Sequence, residues 1–169
     1  MLDKVIIDDT VSKEDNMASI LNLSKSVCFK VFKNNPDTSL QSYIYDYSKP
    51  ALELGLDVGL IVQLINDYIT QIFKSYTTFH EAIQSLKDAD DSEKEEMRNN
   101  LKNLAHKNLG VARNLRVYDA QVLLTDIMNK HDNLEYLKQC VEALMACAFK
   151  LNPSYAYDVL RLKKVKDSL

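Results

Sequence analysis

The sequence predicts an all-α protein: an antiparallel four-helix bundle over Asp57 to Leu151, with additional N-terminal and C-terminal helices. Three observations carry this. Glycine and proline are scarce, 3 of each in 169 residues, too few for the many tight turns of a β-sandwich. Apolar residues recur at helical spacing along most of the chain. Capping and breaking residues divide these stripes into segments joined by short connections, as in a bundle of antiparallel neighbours.

Residues 1–12 read as an extended or mobile arm. The run Lys4-Val5-Ile6-Ile7-Asp8-Asp9 ends in paired acids, but no alternating strands and helices follow it. From Glu14 to Lys33 the spacing of Met17, Ile20, Leu21, Val27 and Val31 predicts a helix, ended by Asn34-Asn35-Pro36-Asp37. Ser39 to Tyr47 reads as a loop or short helix. Tyr43, Tyr45 and Tyr47 alternate as in a strand, yet a lone strand has nothing to pair with.

Pro50 to Leu54 predicts a short helical turn closed by Gly55. Asp57 then caps a long helix to about Leu86, striped by Ile61, Leu64, Ile65, Tyr68, Ile69, Ile72 and Phe73. Asp88 to Asp91 breaks it. Ser92 and Glu95 form a capping box that starts a helix running to about Leu115. Further helices follow over Tyr118 to Asn129 and Asn133 to Leu151. Asn152-Pro153 stops the second of these, and a last helix covers Ser154 to about Lys166. The organisation read from this is an N-terminal arm and helix over 1–50, packing on a bundle over 51–169.

Composition narrows the function classes. Hydrophobic residues at 46% and charged residues at 27% suit a globular chain. A net charge of −3 argues against non-specific nucleic-acid binding. No run of eighteen apolar residues predicts a membrane span, and the N-terminus, with acidic flanks, is unlike a secretory signal. Cys28, Cys140 and Cys147 have no metal-like spacing and read as small core residues, which makes a cytoplasmic location the expectation. There is no glycine-rich nucleotide loop, so no autokinase or cofactor is expected, and no Glu-x-x-His pairs of a di-metal bundle.

The helix ending at Leu115 carries the candidate chemistry. On a wheel of about 100° per residue, Met97, Leu104 and Leu115 fall opposite His106, which places the imidazole on the solvent face. Gly110 follows one turn later, and Asn99, Lys102, Asn103 and Arg113 share the face. Leu109 falls about 60° from His106, at the edge of that face. A glycine in mid-helix costs about 1 kcal/mol relative to alanine, and beside an exposed histidine it leaves room for a partner. Neutral imidazole is a competent nucleophile near pH 7, and Lys102, Lys107 and Arg113 supply positive charge for a phosphoryl group, with Asn103 a further donor.

The segment Ala105-His106-Lys107-Asn108-Leu109-Gly110-Val111-Ala112-Arg113-Asn114-Leu115 resembles the signature of histidine-containing phosphotransfer (HPt) domains. That signature reads Ala-His-x-Leu-Lys-Gly, then a small pair, then often Asn-Leu-Gly. Ala105, His106, Gly110, Ala112, Asn114 and Leu115 match it. Asn108 replaces the family's leucine, Leu109 its lysine and Arg116 its glycine.

The resemblance covers about Asp57 to Leu151 and implies an HPt-like bundle acting as a phosphorelay intermediate. His106 would accept a phosphoryl group from an aspartyl phosphate on a receiver domain and return it to another. The implied partners are response-regulator receiver domains and a hybrid histidine kinase. Lys102, Lys107 and Arg113 stand as candidates to replace the missing lysine. The alternative is a non-catalytic adaptor that docks through the histidine face or the N-terminal helix. His80 and His131 lack a supporting constellation. His131 falls near a helix C-terminus, where a cation suits the dipole.

Overall fold

The computed structural model describes all 169 residues. Seven α-helices follow in order: α1 (Lys13–Phe32), α2 (Ser48–Leu54), α3 (Val58–Asp88), α4 (Lys94–Asn114), α5 (Tyr118–Asn129), α6 (Leu134–Leu151) and α7 (Pro153–Asp167). Two short 3₁₀ turns lie at Leu2–Lys4 and Thr38–Ser42, and there is no strand.

Side chains placed just before the helices start most of them. Ser12 Oγ accepts from Asp15 N–H (3.1 Å), Asp57 Oδ1 from Gly59 N–H (2.6 Å) and Asn133 Oδ1 from Tyr136 N–H (3.0 Å). Each satisfies a backbone donor that the first helical turn leaves unpaired. Gly55 closes α2 with φ of 65°, the left-handed conformation that glycine adopts without a Cβ penalty.

The start of α4 differs from expectation. Ser92 and Glu95 form no capping box. Asp90 Oδ1 instead accepts from Ser92 N–H, Ser92 Oγ and Glu93 N–H, and the helix begins at Lys94. A carboxylate is a stronger acceptor than a hydroxyl, so the aspartate turn wins the donors.

In the packing, α3 meets α4 and α6, α5 meets α4 and α6, and α1 lies along α6. α7 touches α1, α3 and α6. α6 is the central element: Ala143 to Phe149 are buried without a break, because α1, α3 and α5 surround this part of the helix and leave it no solvent face. From α1, Ile20, Val27, Cys28 and Phe32 join the same core as Ile65, Phe73 and Phe79 of α3 and Leu123 and Ile127 of α5.

The first residues are docked rather than free. Leu2 is buried, Val5 and Ile7 pack on the core, and the Met1 amino group lies 2.9 Å from Glu142. Asn16 fastens the chain that follows, donating to the carbonyls of Asp8 and Val11. The tyrosine alternation also has a use other than strand pairing. Tyr43, Tyr45 and Tyr47 donate to the carbonyls of Arg116 (3.1 Å), Leu115 (2.6 Å) and Leu151 (2.5 Å). Every second side chain of an extended segment points the same way, so three phenols cover the ends of α4 and α6, where carbonyls lack helical partners.

Candidate functional site on the exposed face of α4

α4 buries Leu101, Ala105, Asn108, Leu109 and Ala112 against its neighbours. The stripe is centred nearer Leu109 than a wheel weighted by Met97, Leu104 and Leu115 predicts. The small Ala105 and Ala112 let the neighbouring helices sit close, while Met97 and Leu104 are only partly buried. Leu109 is therefore not at the edge of the exposed face: it is 1% exposed, in the core. It cannot supply an apolar contact to a partner, and a lysine at 109 would be a buried cation. Asn108, also buried, donates through Nδ2 to the Leu104 carbonyl at 2.9 Å, which satisfies its amide within the helix.

The other candidate residues share one solvent face. His106, Lys102, Asn103, Lys107, Gly110 and Arg113 are all exposed. Lys102 and Gly110 lie one turn either side of the imidazole, about 6 Å along the axis. None of Lys102, Lys107 and Arg113 forms an ion pair within the chain. A Cβ built on Gly110 meets no atom within 4 Å. The fold thus places no steric demand on Gly110, although glycine is among the worst residues for a helix interior.

The corner after α4 is more specific than the sequence suggested. Arg116 is the one non-glycine residue with positive φ, at 60°. Its N–H bonds to the Arg113 carbonyl (3.1 Å) and Val117 N–H reaches back to Ala112 (2.9 Å). These paired bonds form a Schellman cap, whose left-handed position usually holds glycine. Arg116 takes this conformation with side-chain support: Nε lies 2.7 Å from Glu53 Oε2, and Nη1 donates to the Asn114 carbonyl at 2.6 Å. This is the position where the HPt signature has glycine, so the substitution keeps the backbone geometry that a glycine would serve.

The remaining histidines are engaged internally. His131 Nε2 lies 2.8 Å from the Ile127 carbonyl at the end of α5. His80 stacks edge-on against Tyr76, with its Nε2 3.4 Å from Glu142 Oε1. His106 does not line the cavities beside Tyr43, Ala51, Gln84, Ile6 or Val27. An open imidazole on a convex helix can react with a group presented by another macromolecule, whereas a small substrate would have no walls to hold it.

Sequence reading missed three features. The left-handed corner at Arg116 is hidden by its side chain. Asp119 is buried despite its charge. Cys28 and Cys147 stand with sulfurs 3.3 Å apart although 119 residues separate them. The Asn114-Leu115 pair at a helix end was the one signal pointing to the first; no local pattern pointed to the others. No family model, curated protein or solved structure matches the chain.

Proposed function

We propose that this chain is a phosphorelay intermediate of the HPt type, with His106 as phosphoacceptor. The observation that carries the reading is the pairing of an exposed His106 with an open Gly110 one turn later. The glycine destabilises the helix and nothing inside the chain requires it, so close approach of a partner is its physical rationale.

In this reading α3, α4, α5 and α6 form an antiparallel four-helix bundle, each packing on two of the others. A bundle holds His106 on a rigid surface, which suits a reaction dominated by alignment. An imidazole nitrogen of His106 attacks the phosphorus of a receiver's aspartyl phosphate. The nitrogen–phosphorus bond forms, the phosphorus–oxygen bond breaks, and the aspartate leaves as a carboxylate. Lys102, Lys107 and Arg113 offset the negative charge of the approaching phosphoryl group. The reverse step onto a second receiver completes the relay.

The competing reading is an adaptor that docks on receivers without accepting phosphate. The burial of Leu109 favours it, because the family's lysine then has no counterpart at that position on the exposed face. Incubation with a phosphorylated receiver separates the two. Acid-labile label on the wild type, and none on His106→Gln, supports phosphotransfer. Receiver binding without label supports the adaptor.

A further inference from the structure

A cavity of about 310 Å³ opens where α1, the tyrosine segment, the start of α5 and the end of α6 meet. Its wall includes Tyr43, Asp119, Cys147 and Lys150. Phosphotransfer through His106 uses none of these groups. Cys28 of α1 faces Cys147 of α6 there, with Sγ–Sγ 3.3 Å. Both thiols are buried, Cys28 at 5% and Cys147 at 1% exposure, but Cys147 borders the cavity, with Cys28 behind it, so a small solute that enters meets Cys147 first.

We propose that Cys28 and Cys147 form a reversible oxidation site, at which a small hydroperoxide entering the cavity joins α1 to α6 through a disulfide. A disulfide needs sulfurs about 2.0 Å apart, so the two side chains have only to rotate towards each other by a little over an ångström.

The surroundings make the two thiols unequal. The hydrogen bond between Cys28 and Cys147 holds the Cys28 thiol below its ordinary pKa, against burial, and the Lys150 charge adds to it. The same bond, with burial and the Asp119 charge, pushes Cys147 up. Burial works against the Lys150 ammonium, but Cys147, Cys28 and Asp119 outweigh it and keep the group protonated. Cys28 is therefore the more acidic of the two thiols.

One thiol of the pair loses its proton and attacks one oxygen of the hydroperoxide. The O–O bond breaks, that cysteine becomes a sulfenic acid, and the leaving oxyanion takes up the released proton. The other sulfur then attacks the sulfenic sulfur, the S–S bond forms, and its own proton joins the departing hydroxyl as water. Two thiols are oxidised and one peroxide is reduced. Cys140 is an internal control: burial pushes its thiol up to about 12, and it has no sulfur partner.

The test treats the folded, reduced chain with hydrogen peroxide and, separately, with diamide. Free thiols are then alkylated after unfolding, and the peptides are mapped by mass spectrometry. The expected product links the Cys28 and Cys147 peptides, leaves Cys140 alkylated, melts at a higher temperature than the reduced chain and reverts with dithiothreitol. Cys28→Ser and Cys147→Ser abolish the linkage, while Cys140→Ser leaves it intact. A linkage that involves Cys140, or failure of hydrogen peroxide to join Cys28 to Cys147 in the folded chain whatever diamide does, overturns the proposal.

Discussion

Tyr43 holds Arg116: its phenol donates to the Arg116 carbonyl at 3.1 Å while accepting the N–H of Tyr118 at 3.1 Å. One hydroxyl thereby ties the end of α4 to the start of α5, ten residues beyond the candidate phosphoacceptor. Tyr43→Phe removes both bonds and keeps the ring. The expected loss is about 1–3 kcal/mol of stability, read from urea unfolding. An unchanged midpoint shows that water replaces the hydroxyl fully.

Arg116 allows a sharper test of the corner. A non-glycine residue in the left-handed region costs about 1–2 kcal/mol, and the half-exposed Glu53 contact returns no more than about 1 kcal/mol. Arg116→Ala keeps the backbone penalty and loses the side-chain bonds; Arg116→Gly loses the bonds and the penalty together. Glycine is expected to be more stable than alanine at 116 by about 1 kcal/mol. Equal stability of the two variants contradicts a left-handed Arg116.

Leu109 has a structural role and no docking role. Leu109→Ala should cost about 2–5 kcal/mol by leaving a cavity in the core. Leu109→Lys should cost more, because the ammonium must be buried or the helix displaced. Leu109→Lys is therefore expected to lose folding, measurable by circular dichroism during thermal melting. A fully folded Leu109→Lys with wild-type melting contradicts the burial of Leu109.

Gly110 separates stability from recognition. Gly110→Ala should raise stability by up to about 1 kcal/mol, since the new Cβ meets nothing in the chain. Gly110→Leu should also fold, yet reduce receiver binding by about tenfold or more, equivalent to about 1.4 kcal/mol. Unimpaired binding of Gly110→Leu shows that partners do not approach this face.

The sequence revealed elements whose signals are local. Tyr118–Asn129 has the expected bounds, and Asp57 and Asn133 cap the helices they were expected to start. Long-range packing was less legible. A wheel weighs large aliphatics, so it could not see that Ala105 and Ala112 draw neighbouring helices onto the Leu109 side. The tyrosine alternation was visible, but its partners, carbonyls at the ends of two helices, lie 70 to 104 residues away. His106 and Gly110 were legible because exposure on a helix depends mainly on periodicity. Arg116 was not, because its residue type conceals the conformation that the backbone adopts.

The central claim is that His106 passes a phosphoryl group between receivers, and a two-stage transfer tests it most directly. The chain is mixed with a phosphorylated receiver, separated, mapped at neutral pH for phosphohistidine, and then chased with a second, unphosphorylated receiver. The account predicts acid-labile phosphate on His106 alone, not on the internally engaged His80 or His131, and its appearance on the second receiver during the chase. Phosphate on either other histidine, or stable receiver binding with no label on His106, would contradict it.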